Sequence, residues 1–148
     1  MSSKPPIAYV DIRVFSHATE DQNKVETAVK NLLTEALAEN LLFQKSTLEG
    51  HHGNPITLFT TRLEDKKQLP LMVKKIGDGL SAIDKEALNN DIKLHLEKGN
   101  LYLRLDKQSA LLGTAKFTQN DPIHLKIHFK NKTEDEIVVF CKINGLLP

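Results

Sequence analysis

The chain has 148 residues, the size of one ordinary domain, and its 40% hydrophobic content is that of a packed globular protein, which excludes disordered and low-complexity classes. Seven glycines and six prolines are too few for a fibrous or linker-like chain, and twenty Lys/Arg against nineteen Asp/Glu leave a net charge of +1 that by itself names no partner. A single cysteine, Cys141, excludes an internal disulfide and a cysteine metal cage, so a reducing, cytoplasmic setting is expected, and no apolar leader or membrane span is legible.

Residues 7 to 15 alternate, with Val10, Ile12 and Val14 on one side and Tyr9, Asp11, Arg13 and Phe15 on the other, the period of a strand. Thr19-Glu20-Asp21-Gln22 reads as a capping box with acidic residues in the first turn. It opens a helix that carries Val25, Val29, Leu32, Leu33, Ala36 and Leu37 at three- and four-residue spacing. Two strands are expected over 41–48 and 55–64, joined by Glu49-Gly50-His51-His52-Gly53-Asn54 as a hairpin loop. Helical spacing returns from Leu69 to Leu88, with a break expected at Gly77 and Gly79. Ile92, Leu94 and Leu96, then Leu101, Leu103 and Leu105, alternate around Glu97-Lys98-Gly99-Asn100 and predict a second hairpin over 92–96 and 101–105.

A short helix from Lys107 to Leu112, capped by Asp106 and stopped by Gly113, leads to a last strand from Ile123 to Phe129. Thr133-Glu134-Asp135-Glu136 is a further capping box, opening a final helix with Ile137, Phe140 and Cys141 that ends near Gly145. The order implies a single α+β domain over 1–148: one mostly antiparallel sheet with helices packed on one face.

If Val10, Ile12, Leu94, Leu96, Leu103, Leu125 and Ile127 point at the helices, the alternate residues share the other face. That second set holds Tyr9, Asp11, Arg13, His95, Tyr102, Arg104, His124, Lys126, His128 and Lys130. Cations neutralise phosphate and Tyr or His rings stack on unpaired bases, the combination used by sheet-based readers of single-stranded RNA. Polar alternation is also what any half-buried sheet shows. Residues 98–132 carry seven cations against Asp106 and Asp121, and the three arginines, Arg13, Arg62 and Arg104, all fall in predicted strands, either as phosphate anchors or as partners of Asp11, Glu64 and Asp106. His17, Glu20 and the His51-His52 pair supply no metal-ligand spacing, Cys141 reads as a buried core thiol, and no phosphate-binding glycine loop or nucleophile elbow is present.

Three phrases carry a resemblance: Arg13-Val14-Phe15-Ser16-His17-Ala18-Thr19-Glu20-Asp21, Glu49-Gly50-His51-His52-Gly53-Asn54-Pro55-Ile56 and Leu101-Tyr102-Leu103-Arg104-Leu105-Asp106-Lys107-Gln108, continued by Ala110, Gly113 and Asp121-Pro122-Ile123. Together they resemble the archaeal family of RNA-binding proteins and predicted exosome subunits, with one departure, His52, where an aromatic often follows the first histidine. The resemblance implies a fold similar to that of ribosomal proteins that bind 5S rRNA. The expected function is non-catalytic RNA binding, as an accessory to RNA processing or exosome-linked degradation, without cofactor, metal or membrane. The expected RNA contacts are Arg13, His17, Tyr102, Arg104, Lys107, Lys126, His128 and Lys130. Two other readings differ in class: a small hydrolase or nuclease using His17 and His52, which needs those side chains in one pocket, and a protein-interaction module, which needs an exposed apolar patch.

Overall fold

The computed structural model describes residues 6–50 and 53–148. Six strands form one antiparallel sheet in the order β2-β3-β1-β6-β5-β4: β1 Ile7–Ser16, β2 Gln44–Glu49, β3 Pro55–Leu63, β4 Leu96–Glu97, β5 Asn100–Leu105 and β6 Ile123–Phe129. Six helices accompany it: α1 Gln22–Asn31, α2 Glu35–Glu39, α3 Leu69–Gly79, α4 Ala82–Asn90, α5 Lys107–Leu111 and α6 Glu134–Ile143. The α+β architecture expected from the sequence is therefore observed. No helix among the described residues is long and apolar enough to cross a membrane.

The central strand is β1, which pairs with β3 on one side and β6 on the other. Its inward residues Val10, Ile12 and Val14 join Phe59, Leu101, Leu103, Leu105, Ile123, Leu125 and Ile127 under Val25, Val29, Met72, Val73, Ile76, Ile137 and Cys141 from the helices. Burial of this single continuous face supplies the main driving force, at roughly 25 cal/mol per Å2 of apolar surface. A register shift between Ile7 and Tyr9 lets Ile7 reach the core out of phase with the rest of β1.

Local expectations hold where a cap or a tight turn dictates them. Thr133 and Glu136 make the reciprocal capping box of α6, Asp106 caps α5 through the Ser109 N–H, and Lys98 and Gly99, at φ 51° and 81°, make the two-residue turn between β4 and β5. Three expectations are corrected. Residues 92–95 form a 3-10 turn, with only Leu96–Glu97 paired to β5, and Leu94 is 85% exposed rather than buried. Half-buried Ile92 and buried Leu96 are four residues apart, so one helical turn places both inward as well as a strand would, and the sheet edge stays short. The expected first helix is two, because the Thr34 hydroxyl accepts the Leu37 N–H and starts α2 anew. Its first cap is Asp21, not Thr19, and the acidic residues precede α1 rather than occupy its first turn, since Glu20 is drawn elsewhere.

Candidate nucleic-acid interface

The helices leave one face of the sheet uncovered. Cross-strand register sets its side chains in rows, so that Tyr102, Lys126, Asp11 and Arg62 are successive partners across β5, β6, β1 and β3, and Arg104, His124, Arg13 and Thr60 are the next row. Of these, Arg13, Arg62, Arg104 and Lys126 are cationic, against Asp11 and, at the β4 edge, Glu97. Shallow depressions over this face are lined by Asp11, Arg13, Leu94, Tyr102, Arg104, His124 and Lys126 on one side and by Phe43, Gln44 and Thr60 on the other.

The cations differ in what they already hold. Arg62 is engaged bidentately by Asp11, Nε to Oδ1 at 2.7 Å and Nη2 to Oδ2 at 3.0 Å, and its guanidinium lies 3.9 Å from the Tyr9 ring centre. The Asp11 hydrogen bond raises the Arg62 pKa further. Tyr9 in turn stacks on His128 at 4.8 Å, and His128 Nδ1 lies 2.7 Å from Asn100 Oδ1. Tyr9 is thus occupied on both sides, and His128 braces it. By contrast, Arg13, Arg104, Lys126 and Lys130 have no carboxylate within 4.0 Å among the described residues. Arg104 is steered by Gln119 Oε1 at 2.6 Å, which leaves further N–H groups of its fork unused. Tyr102 is 38% exposed and stacks on no other ring among the described residues.

The remaining two expected contacts, His17 and Lys107, lie off this face. Lys107 opens α5 and is only 14% exposed; its ammonium donates to Glu20 at 3.0 and 3.3 Å, to Asp121 Oδ2 at 2.7 Å and to the Phe15 carbonyl at 2.5 Å. His17 Nε2 lies 3.1 Å from the same Asp121 oxygen, while its backbone N–H donates to Glu20 at 3.0 Å. Asp121 adopts φ 45°, which a short polar side chain tolerates, immediately before Pro122. The carboxylates of Glu20 and Asp121 and the His17 ring could together face a metal ion, but the lysine ammonium already sits among them as the local cation. Lys107 therefore has no donor directed at the open face. The His51-His52 pair lies outside the described residues.

Two of the three phrases that carried the resemblance, with the Asp121-Pro122 continuation, converge here: His17 and Glu20 of the first, Lys107 of the third and Asp121 meet in this ion cluster. Sequence spacing alone missed that Lys107 and Glu20, 87 residues apart, are partners. No local sequence signal marks the pair: it follows from α5 packing on α1, where Asn31 Nδ2 also donates to the Ala110 and Leu111 carbonyls.

An antiparallel sheet with one helix-covered face and one open face, bearing cations without carboxylate partners among the described residues and an available aromatic ring, is an α+β platform whose surface chemistry suits a nucleic acid. The family model for RNA binding matches residues 9–129, and the chain belongs to that RNA-binding family. The chain is 32% identical to the RNA-binding protein PAB1135 of Pyrococcus abyssi over 133 residues, covering 88% of this chain and 86% of that protein. It is 31% identical over 117 residues to the uncharacterized protein MJ0213 of Methanocaldococcus jannaschii, covering 77% and 78% of the two. Among solved structures, Mth689, a DUF54 protein from Methanothermobacter thermautotrophicus, superposes with a TM-score of 0.74 at 29% identity, covering 96% of this chain and 98% of that one. These three relatives are archaeal.

Proposed function

We propose that this protein binds single-stranded RNA without cleaving it, across the open sheet face, as an accessory to RNA processing or exosome-linked degradation. The observation that carries the reading is the set of cations on that face, Arg13, Arg104 and Lys126, with Lys130 just beyond β6, that no carboxylate neutralises among the described residues, beside the available ring of Tyr102. Such a surface offers phosphate neutralisation and base stacking together. A fold similar to that of ribosomal proteins that bind 5S rRNA belongs to the same proposal. The non-catalytic reading is supported by Lys107, whose ammonium is taken up by two carboxylates and a carbonyl as scaffold.

The test is a salt titration of affinity for single-stranded RNA. Log affinity is expected to fall linearly with log salt, with a slope of about −0.7 per phosphate neutralised. Arg104→Ala or Lys126→Ala should flatten that slope by somewhat under one unit each and weaken all sequences alike. Tyr102→Ala should lower affinity by roughly 1–3 kcal/mol with little change of slope, because stacking releases no counterions. A loss of the same size in Lys30→Ala, an exposed position on α1, would mean diffuse binding and would remove the sheet face from the reading. RNA turnover that survives repurification and disappears in His17→Ala would replace it with an enzyme.

A further inference from the structure

We propose that Arg13, His124 and Arg104, aligned in one cross-strand row of the open face, form a discrete site for a phosphate group. The inference rests on the RNA-binding reading and deepens it, since it assigns one particular subsite and adds His124, which sequence analysis left out of the expected contacts.

The placement comes from register. Arg13 of β1 is the direct partner of His124 of β6, and His124 is the direct partner of Arg104 of β5. Directly opposed residues in an antiparallel pair hold their Cβ atoms about 5 Å apart, so three basic side chains rise in one line over adjacent strands. The two arginines repel each other across the intervening imidazole, and the row has no internal counter-ion: among the described residues no carboxylate lies within 4.0 Å of either arginine. The third arginine of the sheet, Arg62, shows the alternative, with Asp11 set against it as a bidentate partner. None of the three row residues belongs to the core, so the repulsion secures no packing. An anion placed between the two guanidinium forks removes it. A tetrahedral phosphate matches such forks, which donate two parallel N–H bonds each. Gln119 already fixes one N–H of Arg104, and Tyr102, the β5 neighbour two residues before Arg104, places an aromatic face where a base attached to that phosphate would lie.

His124 links this site to pH. Its surroundings are Arg13 from β1, Arg104 from β5, Asp121 from the turn into β6, and Lys126 beyond it on its own strand. Partial burial lowers the His124 pKa below its usual value, Arg13 and Arg104 lower it further, and Asp121 opposes them. Phosphate between the arginines cancels their repulsion and adds an attractive charge, so the imidazole pKa rises on binding. Binding then takes up a proton: affinity increases as pH falls through the bound-state pKa and levels off below the free-state pKa. The phosphate could belong to a 5′ terminus or to an internal phosphodiester, two sources of the same chemistry.

The experiment has two arms, each on the full chain with folding checked by thermal melting. In the first, the His124 imidazole is titrated by NMR between pH 5 and 8, with inorganic sulfate as a non-titrating tetrahedral anion and with chloride at equal ionic strength. Sulfate should raise the His124 midpoint in wild type and leave it unchanged in the double variant Arg13→Gln, Arg104→Gln. In the second, fluorescence anisotropy measures affinity for one single-stranded RNA with a 5′-monophosphate and with a 5′-hydroxyl. Arg13→Gln and Arg104→Gln should each weaken binding about tenfold, the value for loss of a charged hydrogen bond. The gain in affinity on acidification should vanish in His124→Gln. Tighter binding of the 5′-monophosphate assigns a terminal phosphate, and equal binding assigns an internal one. RNA binding with a His124 midpoint indifferent to sulfate, or with wild-type pH dependence retained in His124→Gln, overturns the site while the RNA-binding reading stands. A His124 midpoint that moves with sulfate in a protein that binds neither RNA upholds the anion site and overturns the RNA reading instead.

Discussion

Replacement of Lys107 by methionine separates a scaffold lysine from a phosphate-contacting one. The ammonium is 14% exposed and donates to Glu20, Asp121 and the Phe15 carbonyl at 2.5 to 3.3 Å, so its loss leaves a backbone carbonyl without that donor and two carboxylates facing each other across the gap. Removing one partner of a fully buried ion pair costs about 3–5 kcal/mol. Here Glu20 and Asp121 are 31% and 41% exposed, so solvent relieves part of that, and about 2 kcal/mol is expected. For a chain of this length that lowers Tm by about 4–8 °C. The Lys107→Met, Asp121→Asn double variant should lose less than the sum of the two single variants, because each change removes what the other leaves unpaired. RNA affinity measured well below the melting transition should change less than in Arg104→Ala, since no Lys107 donor faces the open sheet. Chemical denaturation with a salt titration at fixed temperature provides both readouts. A Lys107→Met stability within 0.5 kcal/mol of wild type, together with a flattened RNA salt slope, would refute this account and return Lys107 to the interface.

Gly77→Ala should destabilise by about 1–3 kcal/mol, because a Cβ there would lie 2.5 Å from the Gly145 carbonyl oxygen where α3 meets the chain after α6; a thermal melt indistinguishable from wild type would show that this contact yields freely. Cys141 has its thiol pKa pushed up to about 12 by burial, so the native protein should resist a thiol reagent at pH 8 and react only once unfolded; rapid native labelling would contradict its place in the core. Thr133→Ala should cost about 1 kcal/mol at neutral pH through loss of the α6 cap. The Thr133 backbone and hydroxyl hydrogen bonds hold the Glu136 pKa below its ordinary 4.5. That part of the stability is present above the unfolded-state value and disappears as pH falls through the folded one. The gap between wild type and Glu136→Gln, which keeps the acceptor but not the charge, should therefore narrow in acid, and a gap constant from pH 7 to pH 3 would contradict the capping box.

Period-two alternation in β1, β5 and β6 was enough to tell the core face from the open face, because the pleat ties side-chain direction to parity once one face is buried. The same holds for the caps Asp106 and Thr133 and for the Lys98-Gly99 turn, where a few adjacent residues satisfy their own backbone hydrogen bonds. Leu94 shows the limit: over five residues, apolar spacing fits a strand and a 3-10 turn alike, and only the packing of Ile92 and Leu96 against the core decides between them. Which of the cations are already neutralised by a carboxylate was not legible. The sequence put Arg13 and Arg62 alike in predicted strands, each as a phosphate anchor or a carboxylate partner, and the pairing of β1 with β3 set Asp11 against Arg62 and left Arg13 beside His124. Lys107 is the same lesson at longer range, since the docking of α5 on α1 sets the ammonium of this helix-opening lysine on Glu20 and Asp121 as an internal tie. Charge and alternation are local properties of the chain, whereas neutralisation depends on which strands and helices become neighbours, and that is settled only when the whole sheet closes over its core.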